Sequence, residues 1–334
     1  MSSSLNPTLA DLTSRMTQDG KIDAQIVEML NETNEMLDDI TFQEATGVTE
    51  NITTVRTGLP SVAWRKLNYG VPTGKSKTKQ VSDSIGMLEA YAEVDKKLVD
   101  INSNKEAFRL SENRAFIEAM NQEFQRALIY GDISKDPAKI LGLTPRFSTG
   151  DLTKAENAIN VIDAGGTGSN LTSIWLICWS PLTVFCTYPK GLPGGLKDTD
   201  LGEVTLDDAN GNHFQGYRSH YEWNVGFVVR DWRYVVRIAN IDCDTLKADP
   251  GDTDCKLADL MIDAIETLPN QQMGRPAFYC NRRIRSFLRK QVRNAKNVNI
   301  SIDEIAGRKV TSFDGIPVRR VDALEPGEAK VVFA

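Results

Sequence analysis

The sequence predicts an α+β protein of two lobes, organised on one long helix. Three observations carry that expectation. From Asn104 to Tyr130, residues Leu110, Phe116, Ile117, Met120, Phe124, Ala127 and Leu128 fall within about a third of a helical wheel, the apolar stripe of an amphipathic helix roughly 40 Å long. Ile174-Trp175-Leu176-Ile177-Cys178-Trp179 is an unbroken apolar run of strand length, as a strand covered on both faces requires. A chain of 334 residues also tends to divide its core.

Both ends of the long helix are marked. Ser103-Asn104-Lys105-Glu106 has capping-box spacing, and Gly131 is expected to supply a left-handed stop. Upstream, Asn6-Pro7 opens a first short helix carrying Leu9, Leu12 and Met16. A second helix carries Ile22, Ile26, Leu30 and Leu37 after the break at Asp19-Gly20. Such narrow stripes must lie on another surface. Asn51–Thr57 and Ser61–Leu67 read as strands, as does the alternating set Leu88, Ala90, Ala92 and Val94. Between them Asn68–Ser76 is a turn-rich tip on a projecting two-stranded arm.

Beyond the long helix, Pro137–Asp151 is a loop and Gly165-Gly166-Thr167-Gly168 a break. Asp207–Gly211 is a hairpin turn. Val225–Ile241 reads as two strands joined at Arg230-Asp231, with Trp232, Tyr234, Val236 and Ile238 on one face. Leu257–Leu268 is a short helix. Phe278–Cys280 is a strand entering a basic helix at Asn281, striped with Ile284, Phe287, Leu288 and Val292. Lys309–Phe313 and Ile316–Val321 close the chain around Asp314-Gly315. No segment repeats at a fixed period, which excludes a solenoid or propeller.

The formal net charge of −6 argues against a dedicated nucleic-acid binder. Its distribution is blocked. Residues 1–50 hold ten acids and two bases, and residues 51–82 hold six bases (Arg56, Arg65, Lys66, Lys75, Lys77, Lys79) and no acid. Residues 198–263 are acidic again, and 275–320 carry twelve bases against three acids. Such blocks are either segregated solvated faces or complementary surfaces between copies of the chain. The five cysteines form no C-x-x-C pair and fit buried thiols in a reducing compartment. No signal peptide or membrane-length apolar run is present, so folding in the cytoplasm is expected.

Little supports catalysis. His213 and His220 are the only histidines, and each fits a surface or hydrogen-bonded role better than that of a base or ligand. Gly70–Ser76 is one residue short of a phosphate-binding loop, with an extended segment rather than a helix after it. Asp208, Asn210 and Asn212 mimic the start of a calcium loop, but His213 and Ser219 stand where glycine and glutamate are needed. Asp242, Asp244, Asp249, Asp252 and Asp254 read as a solvated loop around Pro250-Gly251. No catalytic residue, metal site or cofactor is assigned. The basic helix 281–294 is the strongest binding signal, although its stripe is also what packing on a sheet requires.

The stretches Arg56–Gly70 (RTGLPSVAWRKLNYG), Asp83–Tyr91 (DSIGMLEAY) and Leu110–Gln122 (LSENRAFIEAMNQ) closely resemble major capsid proteins of short-tailed double-stranded DNA bacteriophages. The resemblance implies the Hong Kong-type phage capsid fold, with a peripheral domain (long spine helix plus β-sheet), an axial domain, an extended β-loop and an N-terminal arm. On that reading residues 1–49 are the arm, 50–95 the extended loop and peripheral strands, 96–136 the spine helix, 137–268 mostly axial domain, and 269–334 a strand-helix-hairpin shared between the two.

It further implies hexamers and pentamers closing into an icosahedral virion shell around double-stranded DNA. Assembly would occur in host cytoplasm with portal, scaffolding and cement or decoration proteins, without a membrane and with DNA touched non-specifically. The long charged N-terminal extension of some relatives is lacking, which points to a separate scaffold or none. The expected inter-subunit residues are Arg56, Trp64, Arg65, Lys66, Lys75, Lys77 and Lys79, facing acids of the N-terminal arm or of 198–263. The expected spine-helix core is Leu110, Phe116, Ile117, Met120, Phe124 and Leu128. A nucleic-acid module built on helix 281–294 and a non-phage compartment shell are the alternatives.

Overall fold

The computed structural model describes residues 35–101, 105–208, 210–246, 255–294, 300–305 and 308–333. The two expected N-terminal helices, the Ser103 cap and the distal part of the Asp242–Asp254 cluster lie outside them.

After a 3-10 turn at Glu35–Asp38, the chain forms β1 (Phe42–Glu44), β2 (Glu50–Gly58), β3 (Lys77–Asp95), α1 (Lys96–Ile101), α2 (Lys105–Tyr130) and the single turn α3 (Leu143–Arg146). There follow β4 (Val161–Asp163), β5 (Leu171–Trp179), β6 (Val184–Tyr188), β7 (Lys197–Asp207), β8 (His213–Val229) and β9 (Val235–Asp242). The chain ends through α4 (Leu257–Thr267), β10 (Arg275–Cys280), α5 (Arg282–Asn294), β11 (Ile300–Ile305), β12 (Arg308–Phe313) and β13 (Ile316–Arg320). Residues cluster into two compact units. Met87–Gln125 and Gly195–Asn224 belong to one, and Thr33–Gly86, Arg126–Gly194 and Val225–Ala334 to the other.

In the first unit α2 lies on a sheet made by β3, β8 and β7. The register of β7 on β8 runs from Lys197↔Glu222 to Asp207↔His213, around the turn expected at Asp207–Gly211. There Asp208 Oδ1 accepts from the backbone N–H groups of Asn210 and Asn212, both at 2.8 Å, so the calcium-like spacing serves a turn. The contact row of α2 is Phe116, Met120 and Phe124, packed with Ala92, Tyr221, Leu88, Ala90 and Trp223. Phe108, off the expected stripe, joins Val94, Leu98 and Val99 in a second cluster. Leu110 and Ile117 depart from expectation, being 54% and 38% exposed. The buried face centres on an i, i+4, i+8 row, which leaves both at its flank.

In the second unit β5 is central and buried along its whole length. It pairs antiparallel with β9 and β10, and β10 continues the sheet through β13, β12 and β11. Helix α4 packs Leu257, Met261, Ala264 and Ile265, and α5 packs Ile284 and Leu288, against Ile174, Leu176, Val236, Ile238, Phe278 and Val318. Each of these side chains larger than alanine contributes about 1.5–3 kcal/mol on burial. Asn281 starts α5 by accepting the Ile284 N–H at 2.8 Å, a side-chain N-cap. Asp314 and Gly315 both take positive φ, 50° and 77°, in the β12–β13 turn, as a two-residue hairpin of this hand requires.

Several local expectations are corrected. No strand forms over Ser61–Leu67. Trp232 and Tyr234 sit in a 3-10 turn rather than on a strand, because Asp231 accepts the Arg233 N–H and caps the turn. Gly131 does not have positive φ. It is needed for closeness, since a Cβ there would lie 2.3 Å from the Ile140 carbonyl oxygen and 2.4 Å from that of Ala127.

Two buried polar networks fasten the ends of the described chain. Asp39 accepts from Arg319 at 2.9 and 3.1 Å and from the Tyr279 hydroxyl at 2.9 Å, while Trp179 Nε1 donates to that hydroxyl at 2.7 Å. Burial, with the Asp39 carboxylate beside it, drives the Tyr279 hydroxyl well above its ordinary pKa. Arg237, over the Trp175 ring, donates to Ser173, to the Phe147 carbonyl and to Glu328, the last at 2.8 Å with both side chains at most 5% exposed. Glu328 also accepts from Tyr130 at 2.7 Å, which ties the C-terminal segment down.

Candidate inter-subunit surface

The projecting arm is built from β2 and β3, paired antiparallel from Glu50↔Ser84 to Gly58↔Lys77 with an irregularity between Arg56 and Gly58. Its root is polar and buried. Asn51, Thr53 and Asp83 are all below 9% exposed, and Asn51 Nδ2 donates to Thr53 Oγ1 at 3.2 Å. Arg146 donates to Asp83 at 2.6 Å, with side chains 13% and 3% exposed, and to the carbonyls of Leu141 and Phe227 at 3.3–3.4 Å. A nearly buried ion pair of this kind fixes position, because separating its members would strand a charge.

Beyond Gly58 the ladder stops. Residues 59–76 contain no helix or strand, only a tight turn at Lys66–Tyr69 in which Asn68 takes φ 67°. Every residue in that span except Ser76 is exposed. Leu59, Val62, Trp64, Leu67, Tyr69 and Val71 all point into solvent, with Trp64 fully exposed. Arg56, Arg65, Lys66, Lys75, Lys77 and Lys79 are exposed too, and none has a carboxylate partner within 4.0 Å among the described residues. The structure thus gathers all seven expected contact residues on one arm. It adds Val62, Leu67, Tyr69 and Val71, which the sequence reading took for strand or turn, and Leu59, which that reading left between the two strands. Covering such apolar groups is worth on the order of 10 kcal/mol before ordering costs.

The candidate chemistry stays apart. His213 pairs with Asp207 at the β7–β8 turn, and His220 stacks on Tyr91 at 4.4 Å with Nε2 3.2 Å from Glu89. All five cysteines are free and buried. Among the described residues no group of His, Cys, Asp and Glu could hold a metal ion, and no helix is long and apolar enough to cross a membrane.

The arm thus exposes apolar and cationic groups at its tip while Asn51, Thr53 and Asp83 at its root are buried. The solved bacteriophage epsilon15 structure is similar over nearly the entire chain: 34% identity, covering 99% of this chain and 98% of that one, with a TM-score of 0.80. More distant likeness runs to the bacteriophage JBD30 capsid (12% identity, 96% and 99% covered, TM-score 0.48) and the encapsulin of Synechococcus elongatus PCC 7942 (12%, 71% and 97%, 0.45). No curated protein sequence matches the chain. The fold is the Hong Kong-type phage capsid fold, which defines a structural shell protein and not an enzyme. The chain belongs to the family of the major capsid protein GP7, whose model matches residues 17–332. It is a many-copy component of the virion capsid.

Proposed function

We propose that the arm formed by β2, residues 59–76 and β3 seats on a neighbouring copy of the chain, and that this contact joins subunits into the hexamers and pentamers of an icosahedral shell around double-stranded DNA. The carrying observation is the coexistence, on one exposed tip, of six uncovered apolar side chains with Arg65, Lys66 and Lys75. A two-stranded ribbon is marginal alone in water, and aromatic anchors ringed by charge are the usual centres of binding energy. The cations Arg56, Lys77 and Lys79 flank the tip and meet acids of the receiving copy, giving many modest, reversible contacts.

The unit holding α2, β7 and the first part of β8 serves as the peripheral domain, and the buried sheet around β5 as the axial domain. The region 137–268 is then axial except for the β7–β8 hairpin, and 269–334 joins the buried sheet. Assembly takes place in the host bacterial cytoplasm, with portal, scaffolding and cement proteins as partners and with DNA touched non-specifically.

The test is particle formation by purified protein, followed by sedimentation and negative-stain microscopy. Wild-type chains form closed particles. Trp64→Ala combined with Leu67→Ser leaves folded, soluble subunits that do not assemble. Particles of normal yield from that variant would remove the arm from the assembly interface.

A further inference from the structure

Helices α4 and α5 lie side by side on one face of the buried sheet, and both bury their apolar rows in the same core. Their outward faces carry opposite charge. On α4, Asp259, Asp263 and Glu266 are exposed around the exposed Ile262. On α5 an open groove of about 540 Å³ is lined by Arg282, Arg285, Ser286, Arg289, Lys290 and Arg320. Two of these cations are partly compensated, Arg285 lying 3.5 Å from Glu35 and Arg320 pairing with Asp322. Arg282, Arg289 and Lys290 have no carboxylate within 4.0 Å among the described residues, and the three α4 acids have no cation within that distance.

Each row is unfavourable on its own helix. Asp259 and Asp263 are like charges four residues apart, as are Arg285 and Arg289, and such pairs repel across one turn. Glu266 sits in the last turn of α4 and Arg282 in the first turn of α5, each at the helix end whose dipole has its own sign. Opposite charge from outside relieves both. The spacing also matches, since Asp259 to Glu266 and Arg282 to Arg289 each span about 10 Å along a helix. The two rows make no ion pair with each other within one chain, and the chain is a many-copy component of a shell. We propose that the acidic row of α4 on one copy docks in the cationic groove of α5 on the next, with Asp259, Asp263 and Glu266 facing Arg282, Arg289 and Lys290. Two different patches pair, so the contact runs head to tail and closes into a ring when the rotation between copies permits. It rests on the reading of the chain as the subunit of closed capsomers and does not depend on where the arm lies.

Zero-length carbodiimide coupling of particles co-assembled from isotope-labelled and unlabelled full-length chains, mapped by mass spectrometry, tests it. Lys290 should couple to Asp259, Asp263 or Glu266 between labelled and unlabelled chains. Arg282→Glu with Arg289→Glu, or Asp259→Lys with Glu266→Lys, should each lower particle yield about tenfold by setting like charges face to face. The quadruple variant carrying both exchanges should restore it. All four positions are exposed, and circular dichroism matching wild type separates loss of assembly from loss of fold. Particles whose Lys290 couples to these acids only within one chain, or not at all, overturn the contact and leave the shell reading intact, as do both double variants assembling at normal yield. Wild-type chains that form no particles overturn both. Binding of a short DNA duplex that Arg282→Glu with Arg289→Glu abolishes, while Asp259→Lys with Glu266→Lys assembles normally, assigns the groove to phosphate instead.

Discussion

Arg146 and Asp83 meet at 2.6 Å where the carboxylate is almost closed to solvent, and the consequence is asymmetric. Removing Arg146 alone strands a buried negative charge, so Arg146→Ala is expected to cost about 3–5 kcal/mol in denaturant titration. Arg146→Met with Asp83→Asn should recover most of that loss, because no charge is then left unpaired. The buried thiols report on the same dry interior. Burial pushes Cys178 and Cys255 up to about 11 and Cys280 up to about 12, against about 8.5 for a free thiol. The folded state therefore holds more protons than the unfolded chain at alkaline pH, and stability should fall as pH rises from about 8.5 towards 11–12. In native subunits all five cysteines should resist alkylation at pH 8, and a thiol titrated rapidly under those conditions would mark an interior more open than the structure has it.

The long helix and the arm differ in what their sequences are for. Phe124 packs at a tilt against Trp223, ring centroids 4.4 Å apart, and is 2% exposed, so Phe124→Asp buries an unpaired carboxylate and should abolish soluble expression. Leu110→Lys should leave the stability of the subunit within about 0.5 kcal/mol, since that position faces solvent. The helix was legible in the sequence because its periodicity is fixed by packing within one chain. The β5 strand and the β7–β8 and β12–β13 hairpins were legible for the same reason, through apolar runs and turn residues. Ser61–Leu67 misled because its Val62, Trp64 and Leu67 are exposed rather than laddered, and apolar content alone does not separate the two. β11 was missed, as its Ile300, Ile302 and Ile305 stand among polar and charged neighbours. The Asp83–Arg146 root was invisible, since its members are 63 residues apart and only the fold joins them.

At the scale of the whole molecule, a chain with buried or partly buried ion pairs at Asp39, Asp83 and Glu328 leaves, among the described residues, a concentration of exposed apolar groups on one cationic finger. Replacing Lys75, Lys77 and Lys79 by glutamate should preserve the subunit's melting temperature while preventing assembly, with sedimentation showing free subunits only. Raised salt should weaken wild-type assembly in the same direction, because exposed charges are screened within about 10 Å at 0.1 M. The most direct measurement is amide hydrogen exchange of residues 59–76 in dissociated subunits and in assembled particles. These residues should exchange freely in subunits, where Tyr69 N–H to the Lys66 carbonyl is the one backbone hydrogen bond described inside the tip, and become strongly protected in particles. Equal, rapid exchange in both states would contradict an arm that lies on its neighbour.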